Sequence, residues 1–160
     1  MNRDSAPLRR LALVGKQVHR DNRGMNKRSF EPAYRRTAYR IRSDPPLALR
    51  IDEANPALDR LLSERGVATW AFITAFNPHS QPKSEDENSA ADVRLHETLA
   101  AAGYATLAAD AVSDDARWPV ERGWMVLGIS RKRACELGRE FAQNAVVWGE
   151  RGAAPVLVFC

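Results

Sequence analysis

The sequence predicts an α/β chain of the α+β kind, with one mixed β-sheet, about three packed helices and the order ββ-α-β-α-ββ-α-ββ. Three observations carry that expectation. Short apolar runs bounded by turn residues recur at strand length. Three stretches between them open on capping residues, and two of these close on glycine. A length of 160 residues, 44% hydrophobic and 28% charged, suits a single domain with a sizeable core.

Tyr39-Arg40-Ile41-Arg42 and Leu47-Ala48-Leu49-Arg50-Ile51 alternate and read as two strands joined across Ser43-Asp44-Pro45-Pro46. Asn55 is an N-cap, with Pro56 at the first helical position, where its missing N–H costs nothing. Leu58, Leu61 and Leu62 form that helix's apolar face, and Gly66 ends it. Val67 to Phe76 is apolar at nearly every residue and reads as a central strand covered on both sides. Asn77 to Lys83 is a loop, after which Ser84 and Glu87 form a capping box for a helix reaching about Ala102. Tyr104–Ala108 is a strand, and residues 110–120 read as an acidic, irregular loop. Trp124–Ile129 is another strand, and Ser130 caps a helix over Arg131–Ala142. Ala145–Trp148 and Val156–Phe159 close the chain as a hairpin.

Charge divides the chain unevenly. Residues 1–42 hold twelve Lys and Arg against Asp4, Asp21 and Glu31, a net of +9, so the remainder is net −5 beneath the overall +4. Residues 1–32 therefore read as a basic, disordered leader and 33–160 as one globular domain. Met25 opens Met-Asn-Lys-Arg much as Met1 opens Met-Asn-Arg-Asp, which makes Met25 an alternative start. Such an arm suits weak, non-specific contact with nucleic acid through phosphates. No run nears the roughly 20 apolar residues of a membrane span, and the apolar stretch Leu11–Val14 is too short for a secretory signal. The two cysteines, Cys135 and Cys160, read as unbridged and place the protein in the cytoplasm.

Four segments are candidates for chemistry. Thr74, Asn77 and Ser80 stand where the central strand meets its exit loop, with Asn88 in the first turn of the next helix. Trp118 and Glu121 precede an apolar strand, where Glu121 would serve as general acid or base and Trp118 would stack a ring. Gln143 and Asn144 lie at a helix-to-strand junction, where a buried amide reads either a ligand or a stray backbone carbonyl. Arg131, Lys132 and Arg133 at a helix start suit an anion, or are a solvated basic turn. No phosphate-binding glycine loop, dinucleotide fingerprint or nucleophile elbow is present. His19, His79 and His96 are far apart and the cysteines number two, so neither a metal nor a cofactor is expected. The expected function is a pocket for a small molecule or nucleotide lined by Thr74, Asn77, Ser80, Asn88, Trp118 and Gln143. The alternatives are a nucleic-acid-associated protein acting through its arm and an interaction module without catalysis. Neither enzymatic activity nor oligomeric state is specified by the sequence.

Thr74-Ala75-Phe76-Asn77-Pro78-His79-Ser80, Asn88, Trp118-Pro119, Gly128-Ile129-Ser130 and Phe141-Ala142-Gln143-Asn144-Ala145 together resemble a bacterial family, domain of unknown function 3293. The resemblance runs from about Tyr39 to Trp148 and implies a shared architecture without an assigned activity. It departs from the family pattern after Trp118-Pro119, where Glu121 falls one residue later than in the family and Gly123 stands near the family's serine.

Overall fold

A computed structural model describes residues 26–160, and residues 1–25 of the expected basic leader lie outside that range. Residues 27–32 of the same leader are helical: Lys27–Phe30 forms a 3-10 turn and Glu31–Arg35 a short helix, α1. Pro32 in the first turn favours that start, because the ring fixes φ where no N–H partner is needed. Counting α1, the α-helices among the described residues number four.

The strands are β1 (Thr37–Ile41), β2 (Leu47–Leu49), β3 (Thr69–Ile73), β4 (Thr106–Ser113), β5 (Glu121–Leu127), β6 (Ala145–Glu150) and β7 (Val156–Phe159). They form one seven-stranded sheet in the order β2-β1-β4-β5-β3-β6-β7. The class is the expected one, but every pairing is antiparallel, so the sheet is not mixed. The three longer helices are α2 (Pro56–Glu64), α3 (Glu85–Ala101) and α4 (Arg131–Glu140). Asn55 accepts from the N–H groups of Ala57 and Leu58, Ser84 and Glu87 complete the capping box, and Ser130 accepts from Arg133. Each cap satisfies donors that the first helical turn would otherwise leave orphaned.

Two apolar layers lie on the two faces of the sheet. The inner one gathers Tyr39, Ile41, Leu49, Trp70, Phe72, Ala111, Met125 and Val147, with Leu58 and Leu62 of α2. The outer one packs Ala71, Ile73, Val126 and Val146 against α3 and α4. Successive side chains of a strand point to opposite faces, so β3, β5 and β6 serve both layers. The sheet curls until its ends approach, and the Asp52 N–H donates to the Pro155 carbonyl at 2.9 Å.

The acidic segment 110–120 is not wholly irregular, since β4 runs to Ser113 and β5 begins at Glu121. Its polar residues are tolerated because the strand is paired on both sides and Asp110 turns outward to Arg42 at 2.9 Å. Pairing on two flanks outweighs the poor strand propensity of aspartate.

Candidate functional site

The site forms where the central strand runs out. β3 ends at Ile73, and the backbone enters a turn in which Asn77, His79 and Ser80 all have positive φ, at 47°, 54° and 58°. Ala142, which closes α4 at φ 54°, faces this turn, and its carbonyl accepts from the His79 N–H at 2.7 Å. Left-handed backbone in residues with a Cβ is costly and persists where surrounding bonds over-determine it.

Those bonds come from the predicted amides. Asn77, 2% exposed, donates from Nδ2 to Glu121 Oε1 at 2.7 Å. Its Oδ1 accepts from the Lys83 N–H and from Asn88 Nδ2, both at 3.0 Å. Asn88 Oδ1 takes the Asn77 N–H at 2.9 Å. Gln143 Nε2 donates to the carbonyls of Phe76 and Phe141 at 3.0 and 3.2 Å. Thr74 Oγ1 donates to the Arg122 carbonyl at 2.5 Å and accepts from the Phe76 N–H at 3.0 Å. Thr74, Asn77, Asn88 and Gln143 are therefore brought together, with these polar groups satisfied by the protein itself. They hold the turn, and their position is that of a frame behind the cavity.

The cavity is next to this frame. It measures about 180 Å³ and is lined by Phe30 and Tyr34 before β1, Tyr39 on β1, Ala111 on β4, Trp118 of the β4–β5 connection and Ser80 of the strained turn. Ser80 and Trp118 were legible in the sequence as candidates. Tyr34 and Tyr39 were not, although Glu31-Pro32 marks a helix start and Tyr39-Ile41 alternates inward. Asn144 Nδ2 donates to Ser80 Oγ at 2.9 Å, and the Tyr34 hydroxyl hydrogen-bonds with both. Burial raises the Tyr34 and Tyr39 hydroxyls above the ordinary tyrosine range, so both are neutral.

Glu121 stands next to this wall without lining the cavity. Across β1, β4 and β5 the residues Tyr39, Ala111 and Glu121 lie side by side. Directly paired residues project to one face. Removal from water raises the Glu121 carboxyl to about 7, opposed in part by hydrogen bonds from Asn77 and Trp118. Arg131, Lys132 and Arg133 are not part of this assembly. None lines the cavity, and Lys132 and Arg133 both face Glu136, at 3.9 and 3.3 Å. Among the described residues no cluster of His, Cys, Asp and Glu has the makings of a metal site. No described helix is long and apolar enough to cross a membrane.

Fold and site thus define an α+β protein with a braced polar turn beside a small aromatic cavity. Residues 73–146 match the family model described as protein of unknown function (DUF3293), the family that the sequence resembles. That segment contains the strained turn, α3, Trp118, Glu121 and Gln143. Neither the curated proteins nor the solved structures hold a match to this chain.

Proposed function

We propose that the protein binds a small organic molecule in the cavity between α1, the strained turn and the β4–β5 connection. The carrying observation is the convergence of Tyr34, Tyr39, Ser80 and Trp118 on one hollow, held by a polar frame with its own bonds satisfied. Apolar walls with a few convergent polar groups are the usual make-up of a ligand site. Size narrows the ligand. A hollow of about 150 Å³ accommodates one benzene ring, whereas sites for larger ligands start at roughly 300 Å³. At about 180 Å³, this cavity suits a single ring with small substituents better than a complete nucleotide.

Thr74, Asn77, Asn88 and Gln143 act in this reading as positioning residues, and Ser80 and Trp118 as the contacting ones. Glu121 is also the group best placed for proton transfer, since a carboxyl titrating near neutral pH serves as either acid or base. The setting we propose is the cytoplasm, consistent with free Cys135 and Cys160. The test is a thermal-shift screen of single-ring metabolites and of nucleotides, repeated on Trp118→Ala and Ala111→Leu. A ring compound should raise the wild-type melting temperature by several degrees and leave both variants unmoved. Failure of every compound, or hits that persist in both variants, would overturn the proposal.

A further inference from the structure

One charge on the cavity wall has no partner among the described residues. Arg36 and Asp115 are the charged residues lining the hollow, and both stand at its exposed rim, just beyond the paired Thr37 and Ser113 of β1 and β4. Asp115 is taken by Arg117, which donates from Nε at 3.0 Å and from Nη2 at 2.9 Å. Its neighbour Asp114 is held by Arg50 at 3.0 Å. On the helix side Arg35 binds Glu31 at 2.8 Å and also Asp52. The acidic side chains around Arg36 are thus claimed by other cations, and its guanidinium has neither a hydrogen bond nor an ion pair among the described residues. It stands close enough to add to the pull of Arg50 and Arg117, which hold Asp114 and Asp115 below the usual carboxylate range. Three cations therefore meet two carboxylates here, and the charge of Arg36 is the one left over.

The hydrogen-bonding capacity at this rim has the same sense. Ser113 Oγ accepts from the Asp115 N–H at 3.1 Å, so its own proton can turn toward a ligand. Thr37 Oγ1 directs its proton to the Ala33 carbonyl at 2.9 Å. A guanidinium offers N–H donors in a planar fork and accepts nothing. Unused donors of this kind are matched by an acceptor-only group, and a carboxylate meets the fork with two parallel bonds. One same-face step further along the strands come Tyr39 and Ala111, where Phe30, Tyr34 and Trp118 add aromatic surface. That end suits a ring. Glu121 pairs with Ala111 and so borders the ring end, away from Arg36.

We infer that the cavity takes an aromatic carboxylate, a single ring bearing one acid group, with the ring among Trp118 and the two tyrosines and the carboxylate on Arg36 and the Ser113 hydroxyl. The inference rests on the small-molecule reading above and deepens it by fixing the sign and the class of the ligand's head group. Arg36 is then the residue that sets specificity. It lies exposed at the rim, so it selects among ring compounds without holding the fold.

Isothermal titration of the full chain with benzoate, benzamide and benzamidinium tests this, because the three share a ring and a flat head and differ in its charge. The assay is run at about pH 6, where benzoate is ionised and Glu121 keeps its proton. Benzoate should bind at least about fivefold tighter than benzamide, with benzamidinium weaker than either. Arg36→Gln should bring benzoate down to the level of benzamide and leave benzamide where it was. Benzoate no tighter than benzamide, tighter binding of benzamidinium, or a benzoate advantage that survives in Arg36→Gln overturns the carboxylate assignment while leaving a pocket. Absence of binding by all three overturns it as well, and the ring-compound screen then decides the pocket separately. Should Arg36→Gln fail to fold, the wild-type ranking of the three still decides.

Discussion

Both ends of the Asn77 amide are engaged: the NH2 group donates to Glu121, and the carbonyl accepts from Lys83 and Asn88. Those bonds explain how a residue preceding proline comes to rest at φ 47° and stays there. Asn77 and Gln143 were readable as candidates, but their role was not. Whether a buried amide meets a ligand or a carbonyl depends on which backbone groups lack partners, and those are fixed only by the assembled fold. Glu121 carries a prediction at this scale. Its carboxyl moves from 4.5 to about 7 on folding, so the folded state holds the proton more tightly. Stability contributed by the protonated form is complete below the ordinary value and declines as pH climbs to about 7. Each unit is worth about 1.4 kcal/mol, and partial solvent access keeps the total below the full conversion. Urea titrations of Glu121→Gln should show a flatter pH profile across this window and a variant firmer than wild type near pH 8. An unchanged slope would remove Glu121 as its source.

Helix starts were the most legible elements, because a cap is a local bargain between one side chain and two or three N–H groups. Asn55, Ser84 and Ser130 all cap as read. Strand ends were less legible. β4 extends through Asp110 because pairing with β1 and β5 decides its length, and β1 is distant in sequence. The helical turns over 27–35 are hard to read locally for a related reason: their tie to the sheet end, Lys27 donating to the Cys160 carbonyl at 2.5 Å, joins residues 133 positions apart. β6 shows how tightly two strands are matched. Gly149 lies opposite Trp70, and a Cβ there would come within 2.6 Å of the indole Nε1. Trp70 is wholly buried, so the ring has little room to yield. Gly149→Ala should cost about 1–3 kcal/mol in denaturant unfolding and alter the fluorescence of the core indole. A neutral result would show that the β3–β6 pair can spread.

The two apolar layers are joined through one sheet, in which Trp70 and Phe72 face inward while Ala71 and Ile73 face outward. Losing either layer strips one side of the same strands, so unfolding should be a single cooperative event. Tryptophan fluorescence and far-ultraviolet circular dichroism should give coincident thermal transitions, and separate midpoints would mean that the layers fail independently. At this level the order of strands and helices was visible in the sequence, whereas the spatial order of the strands was not. Alternation specifies a face, and it leaves open which neighbour a strand will choose. The meeting of Asp52 with Pro155 brings the sheet's two borders within reach of each other. A border that greets its own opposite number offers little template for a stranger's strand to extend. The curl therefore guards this protein against the edge-to-edge stacking from which fibrils grow.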